Sequence, residues 1–364
     1  MGQSTTMNDE KSNSQGFRIG WLIDLMEKGY LPDFLIRWGV KNLCTQRLRS
    51  LEQNSLDSYQ AYFQDYVENL RSSPVAIATK DANQQHYEVP AEFFHLVLGK
   101  NKKYSSCFWE DSCLSLDKAE DRSLQITMDR AELKDGMSIL ELGCGWGSLS
   151  LAMASRFPQS KILALSNSRT QKEYIEQQAR DRGINNLTIM TQDVSHLENL
   201  PEGWTQVDRV VSVEMFEHFK NYEILLARIA NWLKPEGKLF VHIFSHNRFC
   251  YPFETEGDDN WMGKYFFTGG QMPSHHLLSY FQKDLTLKKQ WAWNGTHYQK
   301  TSEAWLLNTD KNRERILEIF KSAYGEKQAE IWLQRWRVFF ISVAEFFGYR
   351  RGLEWGVSHY LFEK

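Results

Sequence analysis

Residues Ile139 to Gly147 read I-L-E-L-G-C-G-W-G, and no other segment of this 364-residue chain restricts its fold as much. An apolar run from Met137 to Leu142 breaks into Gly143, Gly145 and Gly147, and an apolar-periodic stretch then runs from Leu149 to Phe157. That order is a strand, a tight turn and a helix. Glycines let a backbone bend sharply and pass close to a ligand that a β-carbon would block. A dinucleotide fold prefers G-x-G-x-x-G with an acid about 20 residues later. Here the spacing is G-x-G-x-G, the acid Glu141 stands just before it, and the next apolar run, Ile162 to Leu165, ends in Ser166-Asn167-Ser168 with Gln171 beyond and no carboxylate. Many βα loops carry glycines for geometry alone, so the rest of the chain has to say what this one holds.

Strands and helices alternate from Ser138 to about Phe244, the pattern of a doubly wound α/β sheet. Strands are expected at Ser138–Leu142, Ile162–Leu165, Leu187–Thr191, Arg209–Val213 and Lys238–Ile243, with two more at Leu285–Trp293 and Gly356–Phe362. Residues 1–15 are polar and expected to be disordered. From Phe17 to Arg71 the spacing is helical, and Pro32 marks the start of a new helix. Ser245 to Ser274, rich in Gly and aromatics, is expected to cover an active site, and Ser302 to Phe347 to form two helices. The expected divisions are a helical cap over 16–125 and a catalytic domain over 126–364 with a lid insertion at 245–345.

Composition excludes several classes. A net charge of −3 without a basic block argues against nucleic acid. No apolar stretch approaches ~18 residues, the length of a spanning helix. Five scattered cysteines, at 44, 107, 113, 144 and 250, show neither metal spacing nor a disulfide framework, and a polar N-terminus carries no secretory h-region, so a cytoplasmic setting is expected. Arg37, Lys41, Arg47 and Arg49 are few and balanced by acids, which disfavours a membrane-surface helix. The N-terminal helices are left with two roles, capping the pocket or forming a homodimer contact.

In open parallel sheets ligands bind beyond the carboxyl ends of the strands. The glycines follow the first strand there. Asn167 and Gln171 follow the second, where they can bond ribose hydroxyls, and Gln192-Asp193-Val194 follow the third, where an acid can meet an adenine amino group. After the fourth come Glu214, Glu217 and His218, spaced i, i+3 and i+4, so that one helical turn would put all three on one face. Two carboxylates and an imidazole at such an edge suggest perturbed pKa values and proton transfer. His242, within the fifth strand, suits a buried core histidine better than a base, and the cluster lacks the spacing of a metal site.

With these residues in view, the chain resembles the coclaurine N-methyltransferase family, within the wider group that includes the cyclopropane-fatty-acid synthases. The resemblance runs from about Leu22 to the C-terminus. It is carried by Tyr87-Glu88-Val89-Pro90, Tyr104-Ser105-Ser106-Cys107-Phe108-Trp109, the Asn167 and Gln171 segment, Glu214 to His218, Asp258-Asp259-Asn260-Trp261, Phe266-Phe267-Thr268-Gly269-Gly270, and His297-Tyr298 with Thr301 and Trp305. It implies a seven-stranded, mainly parallel class I fold that uses S-adenosyl-L-methionine (SAM). The cofactor-binding residues it implies are Tyr104, Ser105, Glu141, Gly143, Gly145, Asn167, Gln171, Asp193, Val194 and Val213. By the same resemblance Glu214, Glu217 and His218 are catalytic, and Tyr87, Glu88, His242 and Tyr298 line the substrate pocket.

Departures from the pattern separate the branches. In cyclopropane synthases the tyrosine-serine pair is followed by a cysteine that helps hold a bicarbonate base, and here that position is Ser106; a second cysteine of that branch falls at Glu345. Glu214 is the additional acid typical of the N-methylating branch. The resemblance therefore implies transfer of a methyl group to the nitrogen of a small, tetrahydroisoquinoline-like cyclic amine, with Glu/His-assisted deprotonation. The competing expectations are a lipid-modifying enzyme acting on an unsaturated acyl chain and a SAM-binding protein without catalysis. A pure binder would have no use for the Glu-x-x-Glu-His cluster.

Overall fold

The computed structural model describes residues 20–76, 89–113, 115–254, 260–266 and 269–364. Residues 1–15, expected to be disordered, and Tyr87 and Glu88 of the expected substrate pocket lie outside them.

Seven strands form the central sheet, in the order Leu187–Thr191, Lys161–Ser166, Ser138–Leu142, Val207–Val213, Leu233–His246, Trp355–Glu363, Thr286–Trp293. β1 (Ser138–Leu142), β2 (Lys161–Ser166), β3 (Leu187–Thr191), β4 (Val207–Val213) and β5 (Leu233–His246) are parallel. β9 (Trp355–Glu363) inserts antiparallel between β5 and β8 (Thr286–Trp293). The strand order reverses at β1, so the crevice between the ends of β1 and β4 is where such a sheet binds ligands. β1 is buried at four of its five positions and the inner part of β5 throughout, as apolar runs covered on both faces must be.

The second core lies beyond the sheet, where Phe93, Phe94, Trp305, Phe320, Trp336 and Phe340 are nearly inaccessible to solvent. Three helices build it, where two were expected: Thr296–Lys311, Arg313–Tyr324 and Glu326–Gly348. The breaks fall at Asn312 and at Gly325, whose φ of +82° places it where residues with a β-carbon rarely go. The helix Asp33–Leu51 begins directly after Pro32, as expected, and lies on this layer. There Arg37 reaches Glu345 over 2.8 Å, and Arg337 reaches Asp33 over 2.9 Å. The segment after β5 leaves through β6 (Tyr251–Pro252) and returns through β7 (Gln271–Met272), which pair to close its base. No described helix is long and apolar enough to cross a membrane.

Candidate active site

β4 delivers Glu214 to the ligand edge of the sheet at φ +46°, a backbone setting that only surrounding contacts sustain in a residue with a β-carbon. Those contacts are plain. Glu214 N–H donates to the His242 carbonyl of β5 at 2.8 Å. Ser106 N–H donates to Oε1 at 2.9 Å, the Tyr298 hydroxyl donates to Oε2 at 2.7 Å, and His242 Nε2 lies 3.1 Å from Oε1. The expected helical turn over 214–218 is not what forms. With Glu214 left-handed and Met215 at φ −136°, helical geometry is confined to the short 3-10 turn Phe216–His218. Glu214, Glu217 and His218 nevertheless line one cavity of about 150 Å³.

The two carboxyls differ in environment. Burial raises the pKa of Glu214, opposed first by the Lys103 charge and then by the Ser106 and Tyr298 hydrogen bonds. Burial lifts Glu217 well above the carboxylate range, and the charge of Glu214 adds to this. Glu217 Oε2 is buried and has no partner among the described residues. Neighbouring acids in a low dielectric share one proton rather than both ionising. The donors around Glu214 oppose its rise and favour the charge there over Glu217, whose carboxyl is lifted further.

The glycine turn forms the opposite wall. A β-carbon on Gly143 (φ +76°) would sit 2.8 Å from Met215 Sδ, so glycine is what lets the two ligand-edge turns approach. A β-carbon on Gly145 would meet nothing within 4 Å, since its outer side opens into the cavity. Glu141, 2 % exposed, accepts a hydrogen bond from Ser150 Oγ, and burial pushes its carboxyl up to about 7. Gln171 lines the cavity with Oε1 held by the Ser166 hydroxyl at 2.8 Å. Tyr104, Ser105, Val213 and Tyr298 also line it. An acid, an amide, hydroxyls and an open glycine face suit the amino-acid portion of SAM.

Not every expected residue reaches this cavity. Asn167, Asp193 and Val194 stand at the ends of β2 and β3 but do not line it. Asp193 Oδ1 accepts from Ser195 N–H at 2.8 Å and caps its own turn, while the Val194 side chain is buried in the sheet core. His242 lies behind Glu214, fully buried.

Among the lining residues that the sequence reading did not assign to the site are Lys103, Trp146, Phe244, Trp305 and Phe339. Lys103 is 2 % exposed and donates to Ser105 Oγ at 2.6 Å and to the Ser106 carbonyl at 2.5 Å. The aromatics were expected from the Ser245–Ser274 stretch. No described residue of that stretch lines the cavity; its rings come from Tyr104, from Trp146 of the glycine turn, from β5 and from the helices Thr296–Lys311 and Glu326–Gly348. The only local sign was helical spacing, which core packing explains equally well.

Residues 76–347 match the family model described as mycolic acid cyclopropane synthetase. Over 347 residues the chain is 35% identical to an (S)-coclaurine N-methyltransferase of Thalictrum flavum subsp. glaucum, covering 94% of this chain and 95% of that protein. It is 33% identical to a pavine N-methyltransferase of the same plant, covering 94% and 96%. A crystal structure of coclaurine N-methyltransferase bound to N-methylheliamine and S-adenosylhomocysteine (SAH) superposes with a TM-score of 0.91 at 34% identity, covering 95% of this chain and 100% of that one.

Proposed function

The chain belongs to the coclaurine N-methyltransferase family of SAM-dependent enzymes, within the mycolic acid cyclopropane synthetase group, and from that premise we propose that its acceptor is the ring nitrogen of a tetrahydroisoquinoline-like amine. The observation that carries this is the Glu214 carboxylate, held beside Ser106 by three groups and facing the cavity. Where cyclopropane synthases hold a bicarbonate base next to a cysteine, this chain supplies an acid of its own. An ammonium ion is a natural partner for that acid; an olefin is not.

SAM, when bound, supplies an electrophilic methyl group on its sulfonium. The residues of this chain do the rest. Glu141, Gly143, Gly145, Gln171, Tyr104 and Ser105 form the cofactor's wall, and Asn167, Asp193 and Val194 take the adenosine side. Glu214 attracts the protonated amine, and Tyr298 and His242 keep its carboxylate aimed. His218 takes the amine proton, directly or through water, with Glu217 beside it, a step that contributes typically 10²–10⁴-fold. Phe244, Trp305 and Phe339 exclude water, and their ring faces favour a cation. Aligning the two reactants contributes several kcal/mol more.

We assign residues 16–125 to a cap and 245–345 to a substrate-covering segment of the catalytic domain. The Arg37–Glu345 pair supports the capping role of the N-terminal helices. The outer face of the same helices, with Phe34 and Trp38 exposed, is the surface for a second copy of the chain. Five free thiols suit a reducing cytoplasm.

The test incubates the protein with SAM and a panel of primary, secondary and tertiary cyclic amines, phenols and unsaturated phospholipid, reading methylated products together with SAH. Methylated cyclic amine is the expected result. Product on phospholipid alone, joined by firm cosedimentation with vesicles, would reject the assignment.

A further inference from the structure

Behind Glu214 runs a row of side chains that the reaction itself does not touch. His242 on β5 and His359 on β9 are cross-strand partners, and Trp291 on β8 is the next residue in that row. His242 Nδ1 lies 2.9 Å from His359 Nε2, and His359 Nδ1 lies 2.8 Å from Arg130, the last residue of the helix Leu116–Arg130. Both imidazoles are fully buried, and burial with nearby cationic charge holds both well below the usual histidine range, so both are neutral. The Arg130 guanidinium sits 5.0 Å from the Trp291 ring and 5.8 Å from that of Trp293, and among the described residues no carboxylate pairs with it.

An arginine can only donate. His359 Nδ1 must therefore accept, which puts the His359 proton on Nε2. That proton is donated to His242 Nδ1, which puts the His242 proton on its own Nε2, facing Glu214. One obligatory donor at the far rim of the sheet thus sets the polarity of a four-residue line ending at the site. We propose that Arg130 and His359 are positioning residues that lock His242 as a hydrogen-bond donor to Glu214 and so keep Glu214 charged for the substrate amine. This rests on the role given to Glu214 above. Were His242 to flip its tautomer, a lone pair would face the carboxylate, and Glu214 would retain its charge only at higher pH. The other groups around Glu214 are Lys103, Ser106 and Cys107 from the loop before the helix Leu116–Arg130, Tyr298, and Glu217 of its own turn. None of them constrains the His242 ring.

The test compares full-length His359→Phe, His359→Gln and Arg130→Met with the parent, using 1,2,3,4-tetrahydroisoquinoline as acceptor. Glutamine retains one acceptor for Arg130 and one donor for His242, whereas phenylalanine retains neither. For His359→Phe and Arg130→Met we expect kcat to fall roughly ten- to a hundredfold, the span of a hydrogen bond to a charged group. The acid limb of the kcat–pH profile should move up by about one pH unit, the counterpart of tenfold, with SAM affinity unchanged. His359→Gln should stay near the parent. Should His359→Phe fail to fold, Arg130→Met carries the test, since its stem still covers Trp291. Nitrogen-15 spectra of the parent should show His242 and His359 protonated on Nε2. Protonation of either on Nδ1, or an unmoved acid limb in folded variants, would overturn the relay. Glu214→Gln at parental turnover would instead overturn the role of Glu214, which keeps the two failures distinct.

Discussion

The Tyr298 hydroxyl donates to Oε2 of Glu214 over 2.7 Å and so ties the helix Thr296–Lys311 to the turn after β4. Removing that donor leaves a buried carboxylate with one fewer partner. Tyr298→Phe should lower kcat on a cyclic amine roughly tenfold or more, in the range of a hydrogen bond to a charged group. Stability should fall by about 1–3 kcal/mol as well, unless Glu214 takes up a proton. Steady-state kinetics beside a thermal melt would check it, and unchanged kcat would mean that Tyr298 only packs.

Glu217→Ala and His218→Ala should each lose turnover by about 10²-fold or more, as expected for removal of proton-transfer groups. SAM affinity, measured by calorimetry, should stay near the parental value. Near-parental turnover in both variants would remove the Glu217–His218 pair from the mechanism.

Glu141 has its pKa raised to about 7 by burial. An ammonium group bound beside it favours the ionised form, so SAM binding should release a proton below neutrality and tighten from about pH 6 to about pH 8. Calorimetry in buffers of different ionisation enthalpy measures that proton, and Glu141→Gln should abolish the dependence. In the unliganded protein the stability linkage is also defined. A carboxyl with a raised folded pKa stabilises most below the unfolded carboxyl range, and that contribution is lost as pH rises through the folded value. Glu120, raised by burial to about 7, acts the same way. Thermal melts without SAM should show these two contributions fading toward pH 7, and SAM should restore part of the loss.

Gly143→Ala combines a positive φ with a β-carbon 2.8 Å from Met215 Sδ. Met215 lines the cavity, so relieving the contact moves its side chain at the site. A loss of about 1–3 kcal/mol in stability is expected from the backbone alone, with weaker SAM binding on top. Melting and binding curves for the one variant test both.

Glu345 is 7 % exposed, pairs with Arg37 and with Lys41 over 3.1 Å, and does not line the cavity. Its position marks the branch of the family, yet its contacts are structural. Glu345→Ala should cost about 1–3 kcal/mol as charged hydrogen bonds are lost, while kcat stays within about twofold. A large fall in kcat at unchanged stability would place Glu345 in the mechanism instead.

The strands were legible because period and apolar runs are local. β1 and β3 fall at their expected ends, β2, β4, β5, β8 and β9 differ mainly at their limits, and Pro32 starts its helix. The ligand edge was legible for the same reason, since a glycine turn and a cluster of acids announce themselves along a few residues. A third helix between Ser302 and Phe347 was not expected, because a lone glycine such as Gly325 is tolerated inside a helical pattern and does not by itself mark an end.

Sequence by itself therefore determined the sheet, the glycine turn and the identity of the three ionisable groups after β4, all matters of near neighbours along the chain. Tertiary structure alone decided what those groups face. Ser106, Tyr298 and His242 reach Glu214 across 108, 84 and 28 residues of sequence, and His359 and Arg130 are joined across 229. A hydrogen bond depends on distance in space, and only packing of the helices and strands against one another brings such pairs within hydrogen-bond reach. Burial, which raises both carboxyls, and the donors that favour the charge on Glu214 belong to that same packing.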